Sequence, residues 1–121
     1  EKLMKSSATK ICSNIINILS KNKGSNITKI NLKGKSSIAD FMIICSGTSS
    51  RHIIALSNYL SKDLKKIELK TFNIEGTQGG DWILVDAGDV IVHLFRNEVR
   101  EYYNLEKMWK PKISDDMQIN N

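Results

Sequence analysis

The sequence is poor in the residues from which common catalytic and metal sites are built. It holds two cysteines, Cys12 and Cys45, without CxxC spacing, and two histidines, His52 and His93. Neither histidine has a Cys, His or Asp at metal-ligand spacing, so neither a metal nor a cofactor is expected. There is no GxxxxGK[ST] phosphate loop and no GxSxG elbow. No apolar run approaches the roughly 20 residues that span a bilayer, and no stretch reads as a secretory leader. A membrane partner is therefore not expected. The two isolated cysteines read as reduced, buried small residues of a cytoplasmic protein, with a single disulfide as second choice. The one proline, Pro111, falls near the end of the 121-residue chain.

What is present fits about one domain on length, with 40% hydrophobic residues. The charge is uneven. Residues 1–37 carry eight Lys and one Glu, while residues 38–121 carry ten Lys and Arg against twelve Asp and Glu. A basic front half suits an anionic neighbour such as RNA. The plainer reading is a Lys-rich composition with solvated side chains. It is preferred because these lysines are scattered and not interleaved with aromatics.

Ala8, Ile11, Cys12, Ile15, Ile18 and Leu19 follow the 3.6-residue period and predict a helix over 5–22, stopped at Gly24. "ITKINL" (27–32) alternates as a strand, and "FMIICSG" (41–47) is a continuous apolar run, the mark of a strand buried on both faces. Ser49 or Ser50 can cap a helix to about Ile67, with the stripe Ile53, Leu56, Leu60, Leu64 and Ile67. "KTFNIEG" (70–76) reads as a short strand. Asn97 caps a helix through "EVREYYNLEKMW", broken near Asn104, and the polar tail 110–121 is expected to be disordered. The order predicts an α/β fold: one domain over 1–109 with a mixed sheet of about five strands and flanking helices.

"GDWILVDAGDVIVHLF" (80–95) reads as a hairpin with Ala87-Gly88 as its two-residue turn, pairing Val85 with Val90 and Trp82 with His93. One face is then Ile83, Val85, Val90, Val92 and Leu94; the other is Trp82, Leu84, Ile91, His93 and Phe95. A hairpin with a wet face should alternate apolar with polar, and this one is apolar on both. The second face needs a cover: either the C-terminal segment or another protein.

"CSGTSS" (45–50), between a buried strand and a helix, invites a phosphate-cradle reading, but helix capping explains it as well. A nucleotidyltransferase should follow such a turn with paired carboxylates, and residues 51–62 contain none. Asp81, Asp86 and Asp89 are the densest acidic cluster, at positions where turn chemistry already favours Asp. Nucleophilic pairs Cys45–His93 and Ser49–His52 stay open. His52, at a helix start, is expected on the surface. Trp82, Phe95, Tyr102, Tyr103 and Trp109 fall within the last forty residues, rich in the types that dominate binding hot spots.

Two blocks, "GKSSIADFMIICSGTSSRHI" (34–53) and "DWILVDAGDVIVHLF" (81–95) followed by "REYYNLEKMW" (100–109), resemble the ribosomal silencing factor family, also called the Iojap family. The likeness covers roughly residues 5–109, and the two blocks together are far more specific than either alone. The resemblance implies a nucleotidyltransferase-like α/β fold without catalysis. It implies a partner, the large ribosomal subunit, reached through its fourteenth ribosomal protein on the intersubunit face. The action it implies is a steric block to small-subunit joining, with a homodimer when free; nearby rRNA contacts would run through the N-terminal lysines. The binding residues expected on this reading are Trp82, Leu84, His93, Tyr103, Leu105, Met108 and Trp109. Two alternatives remain: a divergent nucleotidyltransferase using Ser46, Gly47 and Asp86 or Asp89, and a ribosome-assembly or RNA-binding module acting through the lysines of residues 1–37.

Overall fold

The computed structural model describes residues 2–66 and 73–103. The elements run α1 (Lys2–Lys21), β1 (Ser25–Asn31), β2 (Phe41–Gly47), α2 (Ser50–Lys66), β3 (Asn73–Glu75), β4 (Trp82–Asp86), β5 (Val90–Arg96) and α3 (Asn97–Tyr103). They form one five-stranded mixed sheet in the order β1-β2-β5-β4-β3. Among the described residues only β2 and β5 pair in parallel, and the other pairings are antiparallel.

The helices form where the apolar period predicts them. Ala8, Ile11, Cys12, Ile15, Ile18 and Leu19 of α1, with Ile53, Leu56, Leu60 and Leu64 of α2, all enter one buried cluster on one face of the sheet. Ile67, the last residue of the expected stripe, lies outside the described residues. The end of α1 differs in detail from the sequence reading. Lys23, not Gly24, takes the left-handed conformation, at φ 70°. The Gly24 N–H reaches back to the Leu19 carbonyl at 2.7 Å and the Lys23 N–H to that of Ser20 at 3.2 Å, satisfying two terminal carbonyls. Gly24 is needed for space: a Cβ there would lie 2.5 Å from Cys45 Sγ.

β2 is buried along its whole length, as a continuous apolar run predicts. Phe41, Ile43 and Cys45 face the two helices, while Met42 and Ile44 join a second cluster on the opposite side. Both cysteines are free and buried, and burial pushes the Cys45 thiol up to about 11.

The β4–β5 hairpin corrects the expected register. Trp82 pairs with Phe95, Leu84 with His93, and Asp86 with Ile91, so residues 87–90 make the connection. Val90 closes the turn by accepting the Ala87 N–H at 2.9 Å and pairs with Phe41 of β2, while the Asp89 carbonyl accepts from the Asp40 and Phe41 N–H groups. Each partner moves by two residues, which leaves both faces as read, because side chains alternate with period two. The chain itself covers part of the second face. Leu32, Ala39, Met42, Ile44 and Phe95 are buried there, with Val99 of α3 against them.

Candidate functional site

The side chains picked out by the hairpin sequence meet on the sheet face away from α1 and α2. The Trp82 indole lies 5.0 Å from the Phe95 ring and 5.7 Å from the His93 ring, centroid to centroid. Its Nε1–H donates to His93 Nδ1 at 2.9 Å. That bond requires the neutral imidazole with its proton on Nε2. Burial favours the same state and pulls the His93 pKa down to about 4. His93 itself is buried, while Trp82, Leu84 and Ile91 stay half-buried. His93 therefore sits beneath the surface and holds Trp82, while Trp82, Leu84 and Ile91 keep part of their surface exposed.

Strand pairing surrounds this strip with acid. Glu75 pairs with Leu84, Asp86 with Ile91, and both carboxylates are exposed. Asp81 at the other end is bridged to Arg96 at 2.8 Å. Of the remaining expected contact residues, Leu105, Met108 and Trp109 lie outside the described residues, as does the side chain of Tyr103.

The pieces of the alternative active sites are not brought together. Ser46 and Gly47 end β2, whereas Asp89 lies beside Phe41 at its start, six residues and about 20 Å away. The Asp86 carboxylate accepts the Gly88 N–H at 3.0 Å, a turn-stabilising bond. Cys45 belongs to the helix-side cluster and His93 to the opposite face, so they do not pair. Ser49 Oγ accepts the His52 backbone N–H at 3.1 Å and so caps α2. The His52 ring turns elsewhere, contrary to a simple surface role. Nδ1 accepts the Thr48 N–H at 3.0 Å, and Nε2 donates to the Asn22 carbonyl at 3.0 Å, tying α2 to the end of α1. Among the described residues no group of three His, Cys, Asp or Glu could hold a metal, and no helix is long and apolar enough to cross a membrane.

Arg100 is a feature that composition did not single out. It donates to the Asn26 carbonyl, to Ser46 Oγ at 2.8 Å and to Thr28 Oγ1 at 2.9 Å, anchoring α3 to β1 and β2. A lone Arg in a helix gives no sequence signal for contacts more than fifty residues away.

The comparisons with known proteins agree with one another. A family model described as ribosomal silencing factor during starvation matches residues 5–121. The ribosomal silencing factor of Zymomonas mobilis is 53% identical over 83 residues, covering 69% of this chain and 62% of that protein. This chain thus spans about three-fifths of that relative's length. The Haemophilus influenzae ribosomal silencing factor is 48% identical over 87 residues, covering 72% and 85%. A crystal structure of a Chromobacterium violaceum protein matches with TM-score 0.81 at 36% identity, covering 86% of this chain and 89% of that one. A match over nearly the whole sequence, on a fold shared with a solved structure, leads to one conclusion: this chain belongs to the ribosomal silencing factor family.

Proposed function

We propose that this chain represses translation by docking on the large ribosomal subunit, through its fourteenth ribosomal protein, where the small subunit joins. Repression is steric: a folded domain on the joining surface occupies space the small subunit requires, and no bond is made or broken. The observation that carries the reading is the half-buried strip Trp82, Leu84 and Ile91 on the sheet face opposite the helices, rimmed by Glu75 and Asp86. An aromatic-centred apolar strip with an acidic rim fits a basic protein partner. Trp82 is also pre-ordered by its bond to His93, so little side-chain freedom is lost on binding. Tyr103, Leu105, Met108 and Trp109 extend this surface in the proposal. A free homodimer would cover the same strip, since a two-fold interface reuses one patch on both chains.

The test is sedimentation of the purified chain with separated subunits, followed by a joining assay. The chain should travel with the large subunit and lower the yield of joined ribosomes, and Trp82→Ala should weaken both effects. Equal binding to both subunits, or unchanged joining, would sink the reading.

A further inference from the structure

The charge asymmetry that looks scattered along the sequence is sorted in space. The described side chains of α1 and the turn after it include Lys10, Lys21 and Lys23 and no carboxylate. α2 adds Arg51, Lys62, Lys65 and Lys66 against a single Asp63. Residues 73–101 show the reverse: Glu75, Asp81, Asp86, Asp89, Glu98 and Glu101 against Arg96 and Arg100. The ion pairs to Asp81 and Glu98 belong to Arg96, and among the described residues no carboxylate lies within ion-pair distance of a cation of the helix layer. Lys29 and Lys33, also in the basic front half, lie over the Phe41 ring on this same side of the sheet, but away from the seam between α1 and α2.

A groove runs between the two helices. It comprises adjoining hollows of about 300 and 380 Å³ that share Ile18, Lys21 and Asp63. Lys62 and Lys66 stand on its rim with Asn14 and Asn17, and Tyr59 beside it is 47% exposed.

We propose that this helix-layer groove binds single-stranded RNA. Phosphates would lie along Lys21, Lys62 and Lys66, a base would stack on Tyr59, and the amides of Asn14 and Asn17 would meet base edges. Each element suits that ligand. A net positive concavity concentrates polyanions, and Lys21, Lys62 and Lys66 outnumber the single Asp63 around this one. An exposed aromatic ring beside them offers a stacking platform, which an unpaired base can use and a duplex cannot. A lipid surface fits less well, because it needs inserted apolar side chains. The exposed large hydrophobics among the described residues are Tyr59 and Ile38, and Ile38 lies on the loop before β2. The groove is on the opposite side of the sheet from Trp82, so this inference stands apart from the ribosomal-protein reading.

The experiment titrates the full chain into a fluorescein-labelled 12-nucleotide uridine-rich RNA and follows anisotropy, with no ribosomal protein present. Three phosphate contacts predict a salt slope of about −2.1, so affinity should fall about 18-fold between 50 and 200 mM KCl. The variant Lys21→Gln/Lys62→Gln/Lys66→Gln should bind more weakly and show little salt dependence over the same range. Tyr59→Ala should lower affinity at least about fivefold while keeping the wild-type slope. Lys29→Gln/Lys33→Gln/Lys35→Gln removes the same charge outside the groove and should bind near the wild-type level. Absence of RNA binding overturns the proposal. So does an equal loss in the two triple variants, which would mean bulk charge alone. Equally tight binding of polyglutamate or of phosphatidylserine vesicles would assign the face to a different class of partner and overturn it too.

Discussion

Lowering the pH from 7.5 to 5 should destabilise this fold by about 2 kcal/mol through His93 alone. In the folded chain its Nδ1 is occupied by the Trp82 N–H at 2.9 Å. Its register neighbours are Ile44 and Leu84, and the Trp82 and Phe95 rings flank it, so no charged group among these faces it. Burial lowers its pKa to about 4, against about 6.5 in an unfolded chain. Between those values the unfolded state binds more protons than the folded one. Stability is therefore complete above about pH 6.5 and is lost as pH falls toward 4. At pH 5 an unfolded imidazole is about 97% protonated and the folded one about 10%, which gives the 2 kcal/mol; the full shift is worth about 3. The assay is urea unfolding at pH 7.5, 6 and 5, where the wild-type midpoint should drop by about 1 M. His93→Gln keeps an acceptor for the indole and does not titrate. Its loss between pH 7.5 and 5 should be smaller by about 2 kcal/mol. Parallel pH profiles for the two proteins would refute the reasoning.

Three further outcomes follow from the same geometry. Trp82→Phe leaves the buried His93 acceptor without its donor, at a cost of about 1–3 kcal/mol, whereas adding His93→Leu removes both partners and should restore part of it; strictly additive effects in a urea-melt double-mutant cycle would contradict this. Trp82→Ala adds lost packing on Phe95 to the orphaned acceptor, about 2–4 kcal/mol of folding in all, so the variant should still fold at 25 °C yet bind the ribosomal protein at least 2 kcal/mol more weakly by calorimetry. Gly76→Ala should destabilise far more than Gly34→Ala in thermal melts. Both have positive φ, but a Cβ at Gly76 would meet the Trp82 carbonyl at 2.2 Å and one at Gly34 would meet nothing within 4 Å.

The sequence by itself determined the elements and their buried faces. The stripes of α1 and α2 and the apolar run of β2 each impose one period, and burial of that face is the only stable outcome. It determined both faces of the hairpin, because a register error of two residues leaves alternation intact. It also carried the two blocks by which the family is recognised. Only the tertiary structure decided what depends on distant partners. Parallel pairing of Val90 with Phe41, together with its bond to the Ala87 N–H, set the hairpin register. The second face of the sheet gained Leu32, Ala39 and Val99 as partial cover, so that His93 went inside and Trp82 stayed at the surface. Ser46 and Asp89, both near chain turns in the sequence, were sent to opposite ends of one strand pair. Lysines divided among α1, the turn after it and α2 came onto one layer, because packing both apolar stripes against the same sheet face turns both polar faces toward the same solvent.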